Sequence, residues 1–376
     1  MRNDKTTGAA NLQKNVSPGL EIITLSREAC QEYFMTFVPD GNRSAETLFQ
    51  RLAEAVRGRK AQIISLEVFG ISDKDETRMQ TLKNALGGLQ GPVTWLENGH
   101  DTNLYGTHLW AISGPMVKLL ELDGRIVGGV FEDDCVQYCR LGGLLPKDAS
   151  QSRSEQAAEI FEQMDTVLQT NGMEFSHVLR TWFYNDNILD WYDDFNKVRN
   201  GFFHKKQVFE GLVPASTGVG GRNAARTALA SGLLAVKAID KGVRTFAVPS
   251  PLQYPAMEYG SSFSRAVELD LPDHRRLYVS GTASIDRGGR TVYIGDTEGQ
   301  VRLTMEVVYA ILESRGMDWA DVTRALAYFK DAKDAPIFEK YRTQNNLPRF
   351  PVVIVEDHIC RDELLFEIEV DAIRID

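Results

Sequence analysis

The order of apolar and polar positions divides the chain into alternating strands and amphipathic helices. Towards the C-terminal end, LYVSGTASI (277–285) reads as a strand with a glycine inside it, and the DRGGRTVYIGD that follows is turn-rich. In QVRLTMEVVYAILESRGM (300–317), Val301, Met305, Val308, Ile311 and Leu312 recur at three- and four-residue steps. That is the period of one helix face, and Gly316 supplies the C-terminal stop. DVTRALAYFKD predicts the next strand, PIFEKYRTQ a second helix, and FPVVIVE and LLFEIEVDAI two closing strands.

The same order occurs upstream. QAAEIFEQMDTVLQTNGM (156–173) repeats the first helix and ends on the same Gly-Met, with Gly172 standing 144 residues before Gly316. HVLRTWFYND matches DVTRALAYFKD, and DDFNKVRN matches PIFEKYRT with Arg199 opposite Arg342. LVPAST matches NLPRFP, which sets Ser216 against Arg349. LLAVKAI (233–239) matches EIEVDAI (367–373), which sets Leu233 against Glu367. A fainter copy begins the chain: AETLFQRLAEAVRGRKAQIISLEVFG (45–70) reads as helix then strand, and GPVTWLENG resembles FPVVIVEDH. Internal repetition of this kind predicts three units over 20–120, 121–240 and 241–376, with an unrelated α/β cap as the alternative for the first. The polar tail over 1–19 reads as a mobile arm.

Composition narrows the function. With 43% hydrophobic and 25% charged residues, the 376-residue chain is an ordinary folded protein. A net charge of −10 argues against a nucleic-acid partner, which needs a basic face, but leaves room for a local cationic pocket. No apolar run reaches the roughly 18 residues of a membrane helix, and no apolar leader opens the chain, so a cytoplasmic location is expected. Four cysteines make no disulfide scaffold in a chain this long, and the six histidines show no HxH or HExxH spacing, so neither a metal nor a cofactor is expected. TGVGGRN (217–223) lacks the Walker lysine and reads as a turn. The aromatic group Trp182, Phe183, Tyr184, Trp191 and Tyr192 reads as core between repeats.

The segments SSFSRA (261–266), YVSGTASI (278–285), ALAYFKD, FPVVIVE and EIEVDAI resemble the Rid/YjgF family of chorismate-mutase-like α/β units, which are usually trimers. RTWFYNDNILDWYDDFNKVRN, VPASTGVGGRN, VPSPLQYPAMEYGSSFSRAV and CRDELLFEIE resemble the chorismatases, a family of chorismate-pyruvate hydrolases and 3-hydroxybenzoate synthases. The resemblance implies an α/β (α+β) fold in which three YjgF-like repeats form a pseudo-trimer within one monomeric chain. It implies sheets inward, helices outside and sites between repeats. It also implies a small-molecule substrate, chorismate, cleaved at its enol ether with release of pyruvate for secondary metabolism.

The resemblance places the family's functional glutamate at Glu367, with Glu369 on the same strand face as the fallback. A carboxylic acid raised in pKa suits protonation of an enol ether carbon. Arg349 is the expected partner of a substrate carboxylate, followed by Arg342 and Arg180, because arginine binds carboxylates bidentately. Tyr259 is expected to hydrogen-bond a carboxylate or ring hydroxyl, and Gly281 to present its N–H to the ligand. Cys360, seven residues before Glu367, stands where the resemblance implies a thiol in the aromatising enzymes and a larger polar side chain in the hydrolytic ones. Three alternatives stay open: a hydrolytic chorismatase giving the dihydroxycyclohexadiene carboxylate, a Rid-type imine deaminase, and a non-catalytic ligand-binding protein.

Overall fold

The computed structural model describes residues 10–39, 44–70, 77–99 and 104–375, apart from the side chains at 77, 78 and 259. The chain runs through one pattern three times. The first pass is β1 (Asn11–Ser17), β2 (Leu20–Ser26), β3 (Gln31–Phe37), α1 (Ala45–Gly58), β4 (Gln62–Gly70), α2 (Thr77–Leu86), β5 (Val93–Leu96) and β6 (Leu104–Ser113). The second is β7 (Lys118–Leu122), β8 (Arg125–Glu132), β9 (Val136–Leu144), α3 (Arg153–Thr170), β10 (Val178–Asn185), α4 (Tyr192–Lys205), β11 (Ala215–Gly220) and β12 (Leu229–Ala238). The third is β13 (Arg244–Val248), β14 (Ala266–Asp270), β15 (His274–Ala283), α5 (Thr297–Ser314), β16 (Val322–Phe329), α6 (Ala335–Gln344), β17 (Val352–Glu356) and β18 (Phe366–Ile375).

Each pass makes one six-stranded sheet, in the orders β1-β2-β3-β6-β4-β5, β7-β8-β9-β12-β10-β11 and β13-β14-β15-β18-β16-β17. The closing strand of each unit lies in the middle of its sheet. One edge is a parallel pair such as β10 with β11. The first unit has the same topology as the others, so it is a third repeat and not an unrelated cap.

The helices start where local chemistry satisfies their first N–H groups. Ser152 and Glu155 form a capping box at α3, and Asp296 and Ser44 cap α5 and α1. Each helix pair covers one face of its own sheet, over a core confined to that unit. The opposite faces of all three sheets meet in a shared core that contains Trp110, Tyr138, Trp182, Tyr184, Tyr278 and Tyr328 but no α-helical residue. Sheets therefore face inward and helices outward.

The arm expected over 1–19 is corrected in its described part, residues 1–9 lying outside the described residues. Residues 11–17 are not a free arm but the edge strand β1, paired with β2 from Asn11↔Ser26 to Ser17↔Leu20. The two-residue turn is Pro18-Gly19, with Gly19 at φ 68°, a conformation that glycine adopts without cost. The tail stays polar because most of the strand is exposed.

Strand register corrects two of the repeat matches. Val178 and Val322 take equivalent places, and their partners on the closing strands are Ala235 and Ala372. Tyr184 and Tyr328 follow in step and pair with Ala230 and Glu367, so Ala230, not Leu233, occupies the place of Glu367. In the first unit that place is held by Gly106, opposite Phe69. On the edge strands, Ser216 corresponds to Val352, not to Arg349, which precedes its strand. The middle unit has a longer connection between β10 and β11, including a 3-10 turn at Val208–Glu210, and this shifts the offset after β10.

Candidate active site

A small cleft opens between the second and third units. The second unit supplies Tyr192 and Arg199 from α4, and Ser216 and Gly218 from β11. The third supplies Phe263 and Arg265 before β14, Gly281 on β15, Cys360 and Arg361 on the loop before β18, and Glu367 on β18. β11 packs directly beside β15 here: the Ser216 N–H donates to Ser280 Oγ at 2.9 Å, and the Gly281 N–H donates to Thr217 Oγ1 at 3.1 Å.

Glu367 is buried at 4% exposure, with its carboxyl against Gly281. A methyl group at Gly281 would overlap that carboxyl, so only glycine leaves room for it. Burial pushes the Glu367 pKa up to about 8, and the neighbouring Glu369 adds to the rise, against the pull of Arg180 and Arg265. At neutral pH Glu367 is therefore a carboxylic acid. Glu369 behaves oppositely. Burial works against its charge, but Arg324 and Arg180 hold its pKa below the usual range. It accepts from Arg180 at 2.8 Å, Arg324 at 2.6 Å and Trp182 Nε1 at 3.1 Å. Two glutamates one strand step apart thus divide into a proton carrier and a fixed anion. The Cys360 thiol is pushed up to about 12, chiefly by burial and then by Glu367, so it stays protonated.

An acid poised to give a proton, in a cleft lined by Arg199, Arg265 and Arg361, fits an anionic substrate. The endoribonuclease L-PSP family model matches residues 256–374, the third unit. A 3-hydroxybenzoate synthase of Streptomyces hygroscopicus is 26% identical over 262 residues, which is 62% of this chain and 73% of that one. A chorismatase crystal structure superposes over 92% of this chain and 100% of its own, with a TM-score of 0.64 and 18% identity. The YjgF gene product of E. coli aligns over 34% of this chain and 98% of its own, at 21% identity and a TM-score of 0.28. The chain shares the chorismatase fold and carries a Rid-like unit at residues 256–374.

Within this chorismatase fold, the sequence-derived residues separate. Glu367, Cys360 and Gly281 meet in one cleft. Gly281 leaves space for the glutamate, while its N–H is already committed to Thr217. Arg180 lies behind the cleft, fully buried against Glu369 and Thr217, and does not line it. Arg349 and Arg342 line a different cleft, together with Glu21 and Tyr105 of the first unit. There Arg349 pairs with Glu21 at 2.6 Å and Arg342 with Glu339 at 2.9 Å. The reason is cyclic packing: the edge strand of each unit faces the next unit, so the third unit's β17 faces the first unit and never reaches Glu367. The backbone of Tyr259 lies in a 3-10 turn at Ala256–Tyr259, and its side chain lies outside the described residues.

Arg199, Arg265, Arg361 and Tyr192 were missed as candidates. The signal for Arg199 was its match to Arg342. Each of the two arginines stacks on the phenylalanine four residues earlier in its helix, Phe195 at 5.5 Å and Phe338 at 5.7 Å. A cyclic arrangement hands the second unit's arginine to the third unit's glutamate. Among the described residues no helix is long and apolar enough to cross a membrane. No cluster of three His, Cys, Asp or Glu side chains there is placed to hold a metal.

Proposed function

We propose that the chain is a chorismatase that cleaves the enol ether of chorismate, releases pyruvate and gives 3-hydroxybenzoate. The observation that carries this reading is the protonated, buried Glu367 at the wall of an arginine-lined cleft between two units. Chorismate is a dianion, and Arg199, Arg265 and Arg361 provide cations for its two carboxylates. Glu367 delivers its proton to the terminal methylene carbon. The resulting oxocarbenium ion is captured by an oxygen nucleophile, whose own proton returns to the Glu367 carboxylate. Collapse of that adduct releases pyruvate.

Cys360 supports the aromatising course. Its protonated thiol beside Glu367 is a weak hydrogen-bonding group and a poor holder for a hydrolytic water. The substrate's own ring hydroxyl is then the nucleophile: the adduct is a cyclic ketal, its breakdown cleaves one ring C–O bond to release pyruvate, and loss of a ring C–H proton aromatises the ring to 3-hydroxybenzoate. The curated relative named as a 3-hydroxybenzoate synthase agrees with this direction. Chromatography after incubation with chorismate tests the proposal: 3-hydroxybenzoate is the expected product. A dominant dihydroxycyclohexadiene carboxylate would place the chain among the hydrolytic enzymes, and an intact chorismate peak would remove it from the family's chemistry. The Cys360→Ala variant is expected to shift the product ratio towards the diol, and an unchanged ratio would contradict the role of the thiol.

A further inference from the structure

Behind the cleft wall lies an arginine with donors to spare. Arg180 on β10 is fully buried, and both of its hydrogen bonds leave from one nitrogen, Nη2, to Thr217 Oγ1 at 2.6 Å and Glu369 Oε2 at 2.8 Å. Nε and Nη1 have no hydrogen-bond acceptor among the described residues. Unpartnered N–H donors on a buried cation are costly, so a partner at some stage of turnover would offset that cost. Thr217 Oγ1 also receives the Gly281 N–H, and Gly281 is the residue against which the Glu367 carboxyl rests. Arg180, Thr217, Gly281 and Glu367 thus form a continuous line from one unit to the other.

We propose that Arg180 is a positioning residue that receives the Glu367 carboxylate through its Nε and Nη1 donors once Glu367 has given its proton to the substrate. The inference rests on the chorismatase reading and adds to it the fate of the acid after proton transfer. In the resting state Glu367 is neutral and makes no demand on the guanidinium. When the proton passes to the methylene carbon, one negative charge appears in a buried wall where Glu369 is already ionised. Without a counter-ion that charge would lie beside a second carboxylate. Pairing with Arg180 holds the anion until the nucleophile's proton restores the acid, so proton and charge balance over the cycle.

The groups facing Glu367 from the surrounding elements are Glu369, Arg180, Arg265, Cys360, Arg361 and Tyr328, with Arg199 and Tyr192 across the cleft. Of these, Arg180 combines full burial, a fixed position and two donors not already in use.

The test is carboxyl difference infrared titration of Glu367, with the Glu367→Gln protein as the reference, in wild type, Arg180→Met and Arg180→Lys. Arg180→Met is expected to move the Glu367 midpoint up by about one pH unit or more, the size of losing an opposite charge at close range. It should lower kcat at least 10-fold with KM within a few-fold of wild type, and Arg180→Lys should recover part of both effects. An unchanged midpoint in Arg180→Met would overturn the proposal, whatever happens to activity, because it would leave Arg180 a purely structural partner of Glu369. Should Arg180→Met not fold, Thr217→Val, which removes one of the two anchors of Nη2, decides by the same titration: an upward shift supports the proposal and an unmoved midpoint overturns it. The titration needs no turnover. Absence of pyruvate from wild type would sink the chorismatase reading while leaving the Arg180–Glu367 coupling measurable.

Discussion

At the scale of single residues, the account rests on a division of labour between two carboxyls. Glu367 and Glu369 share a strand face, but three donors hold Glu369 as an anion, and burial keeps Glu367 protonated to about pH 8. Replacing Glu367 with Gln is expected to leave the fold intact and lower chorismate turnover by at least ~100-fold, a common cost of losing a general acid. Circular dichroism together with a turnover assay checks both parts, and near wild-type turnover would contradict the assignment. The pH profile follows from the same shift. The active form is the protonated one, so kcat/KM should fall as pH rises through about 8 rather than near the ordinary glutamate value. The choice of Glu367 over Glu369 came from family resemblance, since both residues look alike in EIE. What distinguishes them physically is the set of donors around each, and those donors come from residues as far away as Arg180 and Trp182.

At the scale of elements, β11, β15 and β18 make the site by close approach. Gly281 on β15 lets the Glu367 carboxyl lie flat against the backbone, and Gly281→Ala would push it away. Turnover is expected to drop by roughly 10- to 100-fold, as for a misplacement near 1 Å, while the melting temperature changes little. An Ala variant with full activity would show that the carboxyl does not need this place. Helix and strand periods were legible in the sequence: the helix ending in Gly-Met marks α3 and α5, and the strands after them fall at the same offset. Register was not. The true counterpart of Glu367 is Ala230, three residues from Leu233 on the same strand, and simple matching of apolar patterns cannot detect a slip inside two similar strands. The asymmetry itself survives, because glutamate stands at that place in the third unit while the other two carry alanine and glycine. β1 was missed for another reason: its side chains are polar, and only the Pro18-Gly19 turn announced it.

At the scale of the whole molecule, equivalent positions in the three units carry different charges, and these join the units to one another. Glu32 of the first unit binds Arg276 of the third at 2.5 and 2.9 Å. Glu67 of the first unit binds Arg140 of the second and Arg324 of the third, both at 2.7 Å. Glu369 of the third unit takes Arg180 of the second. A true threefold assembly of identical chains could not place Ser65, Arg180 and Arg324 at one equivalent position, as this chain does. The cyclic hand-over of edge strands puts Arg349 beside the first unit and Arg199 in the cleft of Glu367, which a reading of one repeat at a time could not reveal. The same interior predicts how stability responds to pH. Burial raises Glu367 to about 8 and Asp357 to about 7, so between about pH 6.5 and 8.5 the folded state holds protons that the unfolded state has lost. Stability should therefore fall as pH rises across that window. His108 and His274, whose pKa values are lowered by burial, act below it, where acid protonates them on unfolding. Calorimetry of wild type should show this decline, and Glu367→Gln should flatten it. A melting temperature that rises across the window would contradict the burial assigned to these carboxyls.

The most direct test of the central claim is a pyruvate assay on the full chain supplied with chorismate, run beside the Glu367→Gln protein. The account predicts one pyruvate released per chorismate consumed by wild type, and at least ~100-fold slower release by the variant. Chorismate left unconsumed by the folded wild-type chain, or equal pyruvate release by both proteins, would contradict it.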